Sequence, residues 1–277
     1  MGTDLKESVP SVQTGHLTKS KGGRRYGYHP DAPSSSDSYA CFNHLSVNVP
    51  LVDLESFCGP VKNQGDLGAC TAFAGTGMRE FLARKYERGN QVVLSPLFLY
   101  YQERQFDGDL AGGDTGSTGR TSVHCMNQFG VCLESQEGYD IAEFQQAPTP
   151  EQLAEALLYK AGAYHKLANT VQDMKNCLAS GYAFVVGFTV YESFESNWSV
   201  SGYMPLPKAD EKVLGGHEVL FIGYDDSKAA FKVRNSWGAD WGNNGNFWFP
   251  YTAVEASNIV QDAWVSHLGP PWQGSAR

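Results

Sequence analysis

The chain is poor in charge. Only 18% of its 277 residues are Asp, Glu, Lys or Arg, against about 25% in ordinary soluble domains. It has no basic excess, since 21 Lys and Arg face 30 Asp and Glu for a net of −9. That excludes the positive footprint of a nucleic-acid binder. It also lacks a long apolar run. The most apolar stretch, residues 183–190, has 8 residues, where a membrane-spanning helix needs about 20. The first 30 residues hold no apolar signal-peptide core. Lys6 stands where N-myristoylation wants Ser or Thr. Cysteine is scarce, with 6 residues and no Cys-x-x-Cys pair. This excludes a disulfide scaffold, a zinc ribbon and a thioredoxin-type motif. The expectation is a soluble chain, cytoplasmic or exported by a route the sequence does not show. It needs no cofactor or metal, has no nucleic-acid or membrane partner, and is a monomer.

What is abundant is glycine, with 30 residues in 277. The length suits one or two packed domains. Charge is unevenly placed. Within residues 1–30, Lys6, Lys19, Lys21, Arg24 and Arg25 outnumber Asp4 and Glu7, a net of +3 that leaves −12 for the rest. A basic arm therefore precedes an acidic body. Residues 1–38 are polar and broken by Gly22-Gly23, Pro30, Pro33 and Ser34-Ser35-Ser36, with no helical or strand period.

Helices come first after the arm. Cys70, Phe73, Ala74, Gly77, Met78, Phe81 and Leu82 follow the spacing of one helical face, predicting a helix over 70–88. Further helices are predicted over 96–105 and 120–129. Thr149-Pro150-Glu151-Gln152 reads as a capping box with Pro at the first helical position. Another helix starts at Asn169 or Thr170 and stops at Gly181. Strands follow over 182–190, 218–224, 229–234 and 245–250, apolar or alternating runs bounded by Gly, Asp and Asn. Helices in one half and strands in the other imply an α+β fold of two lobes with a cleft between them. The divisions expected are an arm over 1–38, a mainly helical lobe over 39–148 and a mainly β lobe over 149–277.

The chemistry concentrates in three blocks. In the first, Gln64-Gly65-Asp66-Leu67-Gly68-Ala69-Cys70 is a glycine-rich loop running into a helix that opens on cysteine. A helix N-terminus favours a thiolate. The Gln64 amide is a donor for a developing oxyanion, beside the Cys70 backbone N–H. A thiol nucleophile also needs a base and a group that orients the base. The second block, Gly215-Gly216-His217-Glu218, and the third, Asn235-Ser236-Trp237-Gly238, lie on hairpin strands turned at Asp225-Asp226. That hairpin brings His217 near Asn235, with Trp237 placed to shield their bond.

The pattern Gln64-Gly65-x-x-Gly68-x-Cys70-x-Ala72-Phe73, then Gly216-His217-x-Val219, then Asn235-Ser236-Trp237-Gly238-x-x-Trp241-Gly242-x-x-Gly245 resembles the papain-like cysteine peptidases. The likeness covers residues 52–251. It implies a papain-like two-lobed fold with a β-barrel-like second lobe and the active site in the cleft. By the same likeness Cys70 is the nucleophile, His217 the proton acceptor and donor, Asn235 the orienter and Gln64 the oxyanion donor. Cys70 and His217 would rest as a thiolate–imidazolium pair, and the activity would be endopeptidase hydrolysis of protein or peptide substrates through an acyl-enzyme. Gly116, Ser117, Gly216 and Trp237 would contact substrate, and the floor of the main specificity pocket would fall within 253–265. Two alternatives share these residues: acyl transfer to an amine, and a catalytically silent binding protein.

The departures from that pattern matter too. Leu67 replaces the usual cysteine three residues before the nucleophile, and Asp114 falls where its disulfide partner would stand. Cys58 and Cys132 are either a substitute bridge or two buried thiols. Thr71 replaces an aromatic residue after the nucleophile, and Ser117 a glycine. Glu218 replaces a small residue and, next to His217 on a strand, points to the opposite face. Where that family carries a long helical pro-domain only the arm is expected, and part of residues 20–40 is expected to lie across or near the cleft and limit activity until removed, as in a zymogen.

Overall fold

A computed structural model describes residues 24–42, 49–87, 90–195 and 202–267. Most of the basic arm thus lies outside the described residues, including the charged positions before Arg24. None of the described helices is long and apolar enough to cross a membrane.

Helix α1 (Cys70–Tyr86) runs through the middle of the molecule, and its first turns are buried throughout. Small residues there (Ala72, Ala74, Gly75) let neighbours approach closely. A Cβ on Gly75 would come within 2.5 Å of the Ser122 hydroxyl. Helix α2 (Pro96–Asp107) is capped by the Ser95 side chain and ends on Gly108 in the left-handed conformation. Helix α3 (Gly119–Gln128) packs on both. Helix α4 (Pro150–Ala156) carries the expected capping box of Thr149 and Gln152. Helix α5 (Val171–Ala179) is capped by Thr170.

Seven of the strands make one antiparallel sheet. Its order is β4 (Tyr164–Lys166), β9 (Val260–Ser266), β5 (Phe184–Tyr191), β6 (Val213–Asp225), β7 (Ala230–Arg234) and β8 (Asn246–Pro250), with β2 (Leu51–Asp53) added beside β6. The sheet stays open among the described residues rather than closing into a barrel. Helix α1 packs against β5 and β6. That contact explains why β5 reads as an apolar run rather than an alternation, since it is covered on both faces. Phe184, Phe188, Phe221 and Phe231 are fully buried, and each contributes about 1.5–3 kcal/mol by leaving water. A short helix α6 (Tyr251–Glu255) links β8 to β9.

One small element is unexpected. Strand β1 (Tyr28–His29) pairs in parallel with β3 (Ser117–Thr118), so part of the arm is ordered against the body. Charge does not explain this attachment in the way the sequence suggested. Arg25 does reach Asp114 at 3.0 Å. Asp37, however, is an arm acid that pairs with the body bases Arg120 and Lys166.

Candidate active site

The three motif blocks converge. His217 lies on β6, and Asn235 directly follows β7. The adjacent strands register Leu220 opposite Arg234. His217 Nε2 and Asn235 Oδ1 are 2.8 Å apart. This contact makes Nε2 the protonated nitrogen, because an amide oxygen only accepts. Trp237 stacks on the imidazole with ring centroids 4.9 Å apart, and Trp241 meets Trp237 edge-on. The indole thus keeps water from the His217–Asn235 bond. The other imidazole nitrogen, Nδ1, is buried and has no hydrogen-bond partner among the described residues.

Cys70 opens α1 and is buried. The backbone amides of Glu218, the residue after His217, and of Gly27 favour its thiolate, against the larger opposing effect of burial. Gln64 lies on the loop before α1. Its Nε2 donates to the Leu67 carbonyl at 2.9 Å, and its Oε1 accepts from the Ser236 hydroxyl at 2.6 Å. The Gln64 backbone N–H also donates to the Ser236 carbonyl. Ser236 therefore positions the glutamine across the cleft. Its place between Asn235 and Trp237 was the only signal in the sequence for that role.

The loop that lacks the family's usual disulfide is fastened differently. Asp114 accepts from the Gly68 N–H at 3.0 Å and from the Tyr100 hydroxyl at 2.6 Å. One carboxylate thus joins the loop before Cys70 to the loop before Gly116. Cys58 and Cys132 are free thiols, as are the other four cysteines, so no substitute bridge forms. Thr71, in place of an aromatic residue, donates to the buried Glu103 at 2.6 Å. Burial pushes the Glu103 carboxyl up to about 8.

Residues 24–31 occupy the cleft. Gly27 forms a parallel bridge with Gly216, and its carbonyl accepts from the Ser117 N–H at 2.8 Å. A Cβ on Gly27 would come within 1.8 Å of the Gly68 carbonyl oxygen, and one on Gly116 within 2.0 Å of the Gly27 oxygen. Two glycines are therefore required for this approach. Tyr26 meets the rings of His217 and Trp237, and the Arg24 guanidinium lies 4.4 Å from the Trp237 ring centre. All four residues expected to contact substrate (Gly116, Ser117, Gly216, Trp237) thus contact this segment instead. The sequence signal for it, a Tyr-Gly-Tyr triplet inside a polar arm, is too short to show a period.

This cover changes the charges. With Cys70 and His217 both enclosed, burial pushes the thiol up to about 12 and the imidazole down to about 4. Both shifts favour neutral groups. In this arrangement burial, to which the enclosing segment adds, opposes charge on either group.

Comparison with known proteins agrees with this architecture. The family model described as papain family cysteine protease matches residues 51–266. An uncharacterized peptidase C1-like protein of Acanthamoeba polyphaga mimivirus is 35% identical over 212 residues, covering 73% of this chain and 68% of that protein. Cysteine proteinase 2 of Zea mays is 25% identical over 203 residues, covering 70% of this chain and 52% of that protein. The chain thus spans only about half the length of the plant relative. Among solved structures, xylellain, a cysteine protease from Xylella fastidiosa, superposes with a TM-score of 0.83 at 31% identity, covering 92% of this chain and 99% of that one.

Proposed function

The chain belongs to the papain family of cysteine proteases, which are peptide-bond hydrolases, and on that premise we propose that Cys70, His217, Asn235 and Gln64 carry out endopeptidase hydrolysis. His217 Nδ1 takes the Cys70 proton, and the sulfur attacks the substrate carbonyl carbon. The oxyanion that forms is met by the backbone N–H of Cys70 and by a Gln64 N–H. The Nδ1 proton then passes to the leaving amine, and the C–N bond breaks to give a thioester. Water, deprotonated by the same nitrogen, attacks the thioester and releases the acid and the free thiol. Asn235 holds the ring in the orientation and tautomer these transfers need. Gly116, Ser117 and Gly216 bind substrate backbone, and Trp237 walls the leaving-group side. The observation that carries this reading is the 2.8 Å His217–Asn235 bond under Trp237, with the Cys70 sulfur against the backbone of the next residue after His217.

Residues 24–31 hold this enzyme inactive. Two observations support that reading. The segment is anchored in the cleft, with the Gly27 carbonyl accepting from the Ser117 N–H and Gly27 bridged to Gly216. Its burial of both groups also opposes the ion pair. Displacing it restores solvent to Cys70 and His217, and with it the ionised pair. The test is stoichiometric labelling by a peptidyl epoxide together with peptide turnover. Both are expected in a full-length Gly27→Leu chain, and both are lost when Cys70→Ala is added. Labelling that survives Cys70→Ala would refute the assignment of the nucleophile.

A further inference from the structure

The loop that carries the expected substrate-binding edge has little of its own to hold it. Gly112, Gly113 and Gly116 fall within five residues, and Gly113 and Gly116 have positive φ, at 80° and 75°. Glycine is the residue with the most conformational freedom to lose. Helix α2 supplies the restraint from one face. Tyr100, Arg104 and Asp107 stand at i, i+4 and i+7 of that helix, the spacing of one helical face. Arg104 donates to the Gly113 carbonyl at 2.9 Å and to the Phe144 carbonyl. The Tyr100 hydroxyl donates to Asp114 at 2.6 Å and accepts from the Gly116 N–H at 2.9 Å. Asp107 accepts from the Ser117 hydroxyl at 2.8 Å.

Tyr100 is the member that reaches the backbone of the edge itself. Its side chain is fully buried, with the Arg104 guanidinium 4.7 Å from its ring centre. A phenylalanine would keep the ring and lose both bonds, leaving the buried Gly116 N–H unpaired. Such a donor is costly until the chain shifts to satisfy it. Gly116 leads into Ser117, whose N–H meets the segment now in the cleft at the Gly27 carbonyl. A shift at Gly116 therefore moves the N–H that a bound backbone would use. The other bond of Tyr100 ends on Asp114, but Asp114 keeps the Gly68 N–H on both oxygens, at 3.0 and 3.1 Å. The loop before Cys70 thus retains its anchor when the hydroxyl is removed.

We propose that Tyr100, Arg104 and Asp107 form a clamp that fixes the substrate-binding edge at Gly116 and Ser117, with the Tyr100 hydroxyl as its main positioning group. The three act on the binding of substrate backbone and not on the reacting bond. Substrates long enough to lie along Ser117 need the clamp, and substrates that end short of Ser117 do not. The full chain uses the same clamp for its own segment, because β1 pairs with β3 there. The inference rests on the protease reading above.

Two measurements test it. The first adds Tyr100→Phe to full-length Gly27→Leu protein and compares two substrates, a peptide amide with several residues before the scissile bond and an acylated single-residue amide. For the long substrate KM should rise about fivefold or more with kcat little changed. For the short substrate both constants should stay within about twofold. Equal losses on both substrates, or no loss on the long one, would overturn the proposal. The second measurement needs no catalysis. In the full chain, Tyr100→Phe should speed amide hydrogen exchange at Gly116 and Ser117 about fivefold or more, with the amides of β7 unchanged. Unchanged exchange at Gly116 and Ser117, or faster exchange throughout the chain, would overturn the proposal. Faster exchange confined to the edge in a chain that cleaves no peptide would support the clamp while refuting the protease reading.

Discussion

Cys70 and His217 sit on elements whose neighbours are buried, and Asn235 and Trp237 follow a strand buried on its apolar face. Residues 24–31 cross them as an extended strip with a two-residue strand and a few side-chain contacts. In the first region each functional side chain is held by a second group: His217 by Asn235, Gln64 by Ser236, and Trp237 by Trp241. In the second region most of the fit comes from glycines and from two tyrosines. The difference shows how the two parts divide the work. The catalytic side chains are held by groups outside the strip, whereas the strip is anchored by the buried side chains of Tyr26 and Tyr28.

That contrast can be broken at its strongest point first. Cys70→Ala in an arm-displaced chain should lower peptide hydrolysis by about 10⁴-fold or more, as expected for loss of a nucleophile. Turnover measured with a fluorogenic peptide checks this, and a loss below about tenfold would place the chemistry elsewhere. Next comes the cover. Gly27→Leu, which forces side-chain atoms toward the Gly68 carbonyl, should raise the rate of Cys70 labelling by roughly 100-fold over the full chain, because a mainly closed cleft reacts only through its open fraction.

Smaller effects test the positioning groups. Asn235→Ala removes the acceptor for the His217 N–H. It should cost about 1.5–3 kcal/mol, read as a fall of roughly 10- to 150-fold in kcat with KM little changed. An equal rise in KM would mean that the residue serves binding instead. Asp114→Ala removes the carboxylate that joins Gly68, Tyr100 and Arg25. It should lower stability by about 1–3 kcal/mol, seen as a lower Tm. An unchanged Tm would mean that the two loops are held by packing alone.

Much of this arrangement was legible in the sequence. Helix α1 was, because its apolar residues repeat at helical spacing and its first turns are too small and apolar to face water. Helix α4 was, because Thr149, Pro150 and Gln152 form a local cap that needs no tertiary context. The candidate site was legible because Gln64, Cys70, His217 and Asn235 sit in glycine-bounded blocks whose order and spacing suit the division of labour proposed for them.

What was hidden depends on contacts distant in sequence. Strand β9 escaped notice because Gln261 and Asp262 interrupt its apolar run. The acid is satisfied by Lys166, the Tyr28 hydroxyl and the Asp31 N–H. Strand β1 has two residues and pairs through backbone, so it leaves no side-chain pattern. The burial that opposes charge on Cys70 and His217 was also hidden, because the segment that encloses them stands about 40 residues upstream of the nucleophile, whereas the motif alone points to an ion pair.

We propose that the cover, and not the catalytic groups themselves, keeps the thiol protonated. It is tested most directly by the rate of iodoacetamide labelling of Cys70 against pH, in the full chain and in the full-length Gly27→Leu chain. Burial holds the covered thiol near 12, above its ordinary 9.0. The covered chain should therefore react slowly at neutral pH and accelerate only toward strong alkali. Uncovered, Cys70 loses that burial and gains a protonated His217 as partner, so its labelling should rise well below pH 9 and plateau. Identical rates and identical pH curves for the two chains would contradict the account.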